Sequence, residues 1–256
     1  MQWMTIFQKE MLHLWRNKQL IWVPLVMMLI AVMDPLTFYF LPEILEISGG
    51  LPEGAVFEVP KLGPNDAIMM GIEALSFTGT LVIALISMGT IANERKSGVA
   101  EIILTKPINP INYITAKWFA LFVISLLSVL LALITNWYYT NILFGEISFG
   151  TIATTFFFYM FWFMLIVTVA IFFNSFLSKP GIVFALTAIV IFLMSLVNTF
   201  LGHKLTYLPN QLASHIQLML ESNEIPNELY MTTAIILFVV VILLGSATTI
   251  FKYKKL

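Results

Sequence analysis

Six runs of apolar residues dominate the chain, each about as long as a helix needs to cross the roughly 30 Å hydrocarbon core of a bilayer. They cover about Leu20–Phe40, Ala67–Ala92, Tyr113–Tyr139, Thr151–Leu177, Gly181–Phe200 and Leu229–Phe251. The polar stretches between them are too short to form a soluble domain. The pattern predicts an all-α membrane protein, with one six-span transmembrane domain over residues 1–256. A different periodicity precedes the first run. Trp3, Phe7, Met11 and Leu14 recur on one helical face, opposite Thr5, Lys9, His13 and Arg16. This predicts an amphipathic helix lying flat at the membrane interface before the chain turns into the bilayer.

Composition agrees: 59% of residues are hydrophobic and only 11% are charged, against about half apolar in soluble domains. There is no cysteine, so disulfides, thiolate metal sites and thiol nucleophiles are excluded. The placement of charge says more than its sum. With the N-terminus in the cytoplasm, every Lys and Arg except Lys61 and Lys204 falls inside, while Glu43, Glu46, Glu53, Glu58, Asp66, Glu146, Glu221, Glu224 and Glu228 fall outside. That asymmetry predicts a multi-pass protein of the cell membrane with both termini cytoplasmic. The first apolar run is too long for a signal-peptide core and no small-residue cleavage site follows it, so it reads as a retained span.

The densest charge lies between the second and third runs, in "NERKSGVAEIILTKPINPINYITAKW" from Asn93 to Trp118. Glu94, Gly98, Glu101 and Leu104 fall on one face if the segment is helical, and Ile102 and Ile103 turn to another. Pro107 cannot continue a helix and Pro110 reinforces the stop. The reading is a short helix over about Asn93–Thr105, then a turn into the third span.

This stretch resembles the first cytoplasmic loop of the ABC-2 type transporter permeases. The match falls on Glu94, Arg95, Gly98, Glu101, Pro107 and Lys117. Lys96 stands where that family often has an acid, and Val99 where it often has Thr or Ser. The basic amphipathic start, the six spans and the long outer segment after the fifth span extend the resemblance over the whole chain. What it implies is a coupling helix that docks into a cleft of a separate ABC ATPase. It also implies two ATPase copies and a second permease subunit, identical or related, with ATP and magnesium held by the partner. The outer segment, Leu201–Glu228, is implied to form short helices that fold back toward the bilayer.

Chemistry of other kinds is missing from the sequence. No G-x-x-x-x-G-K-[ST] phosphate loop, H-E-x-x-H or G-x-S-x-G occurs. His13, His203 and His215 lack the neighbouring ligands of a metal site. The chain is therefore expected to be no enzyme, to hold no cofactor or metal of its own, and to contact lipid but not nucleic acid. Two acids remain within the apolar runs, Asp34 and Glu73, each near 10 Å below the outer surface at about 1.5 Å per residue. Intramembrane acids are functional candidates by default. They line the outer half of a translocation path, or they snorkel outward; Asp34, followed by Pro35, also suits a local helix break. The function this adds up to is the permease subunit of an ATP-driven exporter of hydrophobic or amphipathic cargo, peptide or lipid-like. The competing readings are an intramembrane enzyme and a secondary transporter. The absent catalytic groups oppose the first, and the absence of visible internal repeats opposes the second.

Overall fold

The computed structural model describes residues 2–48, 62–98, 108–202 and 204–253. The chain is an all-α membrane protein with six helices long and apolar enough to cross a bilayer. Span 1 is Gln19–Tyr39, span 2 Pro64–Lys96, span 3 Pro110–Leu143, span 4 Phe149–Asn174, span 5 Pro180–Leu201 and span 6 Asn227–Tyr253. Each overlaps one predicted run. Several reach a few residues further because their polar ends continue the helix beyond the apolar stretch. Among the described residues there is no β-strand.

An even number of crossings brings both ends of the chain to one side of the bundle, called here the basic end. The N-terminal helix, α1 (Gln2–Arg16), lies there. It joins span 1 through a tight turn in which Lys18 adopts a left-handed conformation with φ 55°. At the opposite, acidic end, span 1 runs into a short helix, Leu41–Ser48. A 3-10 turn, Pro209–Gln211, and a helix, Leu212–Ser222, fold back between spans 5 and 6. Leu212, Ile216, Met219 and Leu220 of this helix are buried, and the Leu220 carbonyl accepts from Asn65 Nδ2 at 2.8 Å. The long outer segment is thus packed on the spans.

Span 4 is the centre of the bundle. Two thirds of its apolar window is buried (67%), against 17% in span 5 and 22% in span 6. Its indoles and hydroxyls knit it to its neighbours: Trp118 Nε1 of span 3 donates to Thr168 Oγ1 (2.8 Å) and Trp162 Nε1 donates to Thr80 Oγ1 of span 2 (3.1 Å). Such side-chain bonds replace the hydrophobic drive that helices lack inside lipid. Spans 1 and 2 approach closely at Gly71. Pro35 has no N–H for the Ala31 carbonyl one turn earlier. Gly71 sits against that oxygen, where a Cβ would lie 2.5 Å from it and 2.1 Å from Asn136 Nδ2. Asn136, fully buried on span 3, donates to the Ile68 carbonyl at 3.1 Å and so ties spans 2 and 3 beside this contact.

Span 2 is not one regular helix. Pro64–Ala74 passes through a π-helical turn, Leu75–Gly79, into Thr80–Ser87; a turn then leads to a final short helix, Ala92–Lys96.

Candidate functional site

The last turn of span 2 is held from beneath by Asn174, the final residue of span 4. Asn174 Oδ1 accepts from the backbone N–H groups of Ile91 (3.2 Å) and Ala92 (3.1 Å), which begin the helix Ala92–Lys96. Its Nδ2 donates to the carbonyls of Ser87 (3.0 Å) and Ala170 (2.9 Å). A helix start has four orphan amides, and here a side chain from another span serves as the cap. The helix ends at Lys96, and Gly98 follows with φ 73°, the left-handed conformation that closes helices and that glycine adopts without strain. The expected continuous helix over Asn93–Thr105 is therefore interrupted at Gly98. Glu101 and Pro107 lie outside the described residues.

Glu94 faces into the protein. Its carboxylate accepts from Lys9 Nζ of α1 and from the Tyr113 hydroxyl of span 3, and lies 3.0 Å from Lys117 Nζ. Lys117, only 1% exposed, also donates to Glu10 Oε1 at 2.7 Å and to the Thr90 carbonyl at 2.9 Å. Lys9 lies 3.3 Å from Glu10 as well. Two ammoniums and two carboxylates thus form one neutral cluster joining α1, the end of span 2 and the start of span 3. Buried charges survive where they are paired and hydrogen-bonded like this. Partial burial pushes the Lys9 ammonium down, but the Glu94 hydrogen bond and the charges of Glu10 and Glu94 outweigh it and hold its pKa above the usual lysine value. Lys9 consequently stays charged at neutral pH.

Apolar contacts seat α1 for this pairing. Trp3 stacks on Phe7 with ring centroids 5.3 Å apart, both lean on Phe119 of span 3, and Trp3 Nε1 donates to Thr115 Oγ1 at 3.1 Å. Trp3, Phe7, Glu10 and Leu14 make the face turned to the protein. The face left exposed also carries large apolar side chains, Met4, Leu12 and Trp15. The stripe expected to rest on lipid is therefore partly spent on span 3, and a second apolar stripe stands outward.

Arg95 points the other way. It donates to the Ser175 carbonyl at 2.5 Å and its guanidinium sits 5.2 Å from the Phe251 ring centre. Phe251, at the end of span 6, stacks on Tyr113 at 5.0 Å. Around the helix Ala92–Lys96 the ends of spans 2, 4 and 6, the start of span 3 and α1 all meet. Beside it, a cavity of about 320 Å³ lies among Lys9, Glu10, His13, Asn93, Glu94 and Lys117.

The two intramembrane acids occupy different surroundings. Asp34 is exposed on span 1, away from any described cavity. Glu73 is exposed on span 2 and lines a cleft of about 220 Å³ between spans 2, 4 and 5 and the turn before Leu212–Ser222. Of the histidines, His215 Nε2 pairs with the Thr206 carbonyl at 2.8 Å, His203 lies outside the described residues, and no metal-holding cluster occurs among the described residues.

Residues 65–250 match the family described as ABC-2 family transporter protein. The chain belongs to that family. This ABC-2 protein is also 32% identical over 197 residues to YxlG, an uncharacterized transmembrane protein of Bacillus subtilis (strain 168), covering 75% of this chain and 76% of that one. Members of the ABC-2 family in general work with an ABC ATPase. The matched region contains Glu73, Glu94, Arg95 and Lys117, whereas Lys9 and Glu10 precede it. Sequence reasoning on this ABC-2 protein found Glu94, Arg95 and Lys117 but missed their buried partner Glu10 and the Asn174 cap.

Proposed function

We propose that this chain is the permease subunit of an ATP-driven exporter, with its basic end in the cytoplasm and two copies of an ABC ATPase docked there. ATP and magnesium are held by the ATPase, and the permease itself catalyses no reaction. The observation that carries this reading is the mounting of the helix Ala92–Lys96. It is capped by span 4 through Asn174, anchored to spans 4 and 6 through Arg95, and ion-paired to α1 and span 3 through Glu94. A force applied by the ATPase to the segment beyond Gly98 is passed from span 2 to four other elements at once. Glu94 and Arg95 then act as transmitters inside the permease, while Glu101 and Pro107 belong to the segment offered to the ATPase.

A second permease copy, identical or related, completes the path. Asp34 and Glu73 stand exposed on one chain at depths where a charged group in hydrocarbon costs at least about 2–3 kcal/mol. A partner that encloses an aqueous path beside either position removes the cost there. The cargo is hydrophobic or amphipathic and moves outward.

The test is to purify the full chain from membranes of cells that also make its ABC ATPase and to measure bound ATPase. Wild type should retain ATP hydrolysis, and Glu101→Lys at equal permease level should lose it, with its six spans still inserted. Nucleotide binding by the chain stripped of its partner, or undiminished ATPase capture by Glu101→Lys, would overturn the assignment.

A further inference from the structure

The π-helical turn in span 2 builds a specific wall. A π turn bonds each carbonyl one residue further along than an α turn, which leaves groups to be satisfied by side chains. The Ser76 carbonyl accepts from Thr80 Oγ1 at 2.6 Å, and Trp162 of span 4 donates to that same hydroxyl. The Ile72 carbonyl accepts from the Tyr159 hydroxyl at 2.9 Å, and Ser76 Oγ pairs with the same hydroxyl at 2.7 Å. Tyr159 and Trp162 are thereby locked in place, both almost fully buried, and both line the cleft that holds Glu73 and Phe77.

Within this cleft of about 220 Å³ Glu73 is the one charged lining residue, and among the described residues it has no ion-pair partner. Three aromatic rings and one free carboxylate are the groups that recognise an organic cation: the ring faces attract positive charge and the carboxylate fixes it. The same lining disfavours an anion. The cleft meets a second groove at Pro209 and Asn210. That groove, of about 230 Å³, is walled by Val190, Leu193, Met194, Val197 and Leu208, all apolar. A cationic subsite therefore adjoins an alkyl-sized one.

We infer that the Glu73 cleft and its adjoining groove form a binding site for a cationic amphiphile, an alkylammonium head against Glu73, Phe77, Tyr159 and Trp162 with its hydrocarbon chain along span 5. Calling this amphiphile the cargo rests on the exporter reading; the binding itself does not. A tetraalkylammonium head suits the site because it needs no hydrogen-bond acceptor and exposes polarised methyl groups to the rings.

The probe is hexyltrimethylammonium, titrated onto the full chain in lipid nanodiscs and followed by saturation transfer to its N-methyl protons, with empty nanodiscs as the blank. Hexyl sulfate and hexanol are the matched anionic and neutral probes. The expected result is saturable binding of the cation alone, weakened about tenfold or more by Glu73→Gln, retained largely by Glu73→Asp, and weakened several-fold by Phe77→Leu. Glu73 is exposed and makes no hydrogen bond among the described residues, so Glu73→Gln should keep the parent's thermal midpoint. Equal binding of all three hexyl probes, or wild-type affinity in Glu73→Gln, overturns the site. ATPase capture is measured on the same variants. No saturable cation binding by the wild type, with its ATPase capture intact, defeats this inference alone, whereas cation binding without capture in the wild type defeats the exporter reading and leaves the site standing.

Discussion

Replacing Lys117 by Met removes one ammonium from a neutral cluster and keeps most of the side-chain volume. Glu10 and Glu94 are then left with Lys9 as their only cation, and Lys9 is half exposed, so its compensation is screened. The Thr90 carbonyl also loses its donor. Breaking a buried pair from one side costs about 3–5 kcal/mol. Taking the lower figure, the equilibrium for α1 lifting from span 3 should shift by roughly a hundredfold. The chain has no native cysteine, so Leu14→Cys, at a buried position on α1, reports that lifting through its maleimide labelling rate in nanodiscs. Lys117→Met in this background should label roughly a hundred times faster. Adding Glu10→Leu should restore most of the protection, because the remaining Lys9 and Glu94 balance and removing both members of a buried pair is nearly neutral. Labelling at the parent rate, or a Glu10→Leu addition that worsens it, would refute the idea that the cluster holds α1 down.

Two further substitutions test the packing that positions the site. Asn174→Leu leaves the two buried amides of Ile91 and Ala92 without this partner at about 1–3 kcal/mol each; it should lower the thermal midpoint in nanodiscs markedly and abolish ATPase capture together with it. Gly71→Ala drives a methyl into Asn136 and the Ala31 carbonyl and should destabilise by about 1–3 kcal/mol, read as a lower thermal midpoint, whereas Gly181→Ala, which meets nothing within 4 Å, should not.

The six spans were legible because length and hydropathy in lipid leave few alternatives to a helix. The site was legible only in part. Glu94 was singled out by its spacing to Glu101, a relation that presupposed helical continuity. The left-handed Gly98 interrupts it, and a glycine four residues after an acid is as good a helix stop as a close-approach residue. Glu10 carried a usable signal that went unread: it lies on the face of Trp3, Phe7 and Leu14, and a lone carboxylate on a packed apolar face requires a buried cation. Lys117, within the apolar start of span 3, was its natural partner, but no local pattern links residues that far apart. The π turn had only a weak mark, the cluster Ser76, Thr78, Gly79 and Thr80 inside an apolar run, and its existence depends on Tyr159 and Trp162 arriving from span 4.

The Glu10–Lys117 pair joins residues 107 positions apart, and this sets a schedule for biogenesis. At about 5–20 residues per second, the ribosome makes Lys117 roughly 5–20 s after Glu10. During that interval α1 has neither Thr115 nor Phe119 to lie on, and the two charges it brings to the cluster, Lys9 and Glu10, have only each other, adjacent in sequence and 3.3 Å apart in the finished protein. Span 1 must therefore enter the bilayer while the helix before it is still waiting for its seat. The nascent chain can complete its basic end only when span 3 follows, so a translation stall between the second and third spans should leave α1 open to protease on an otherwise inserted hairpin.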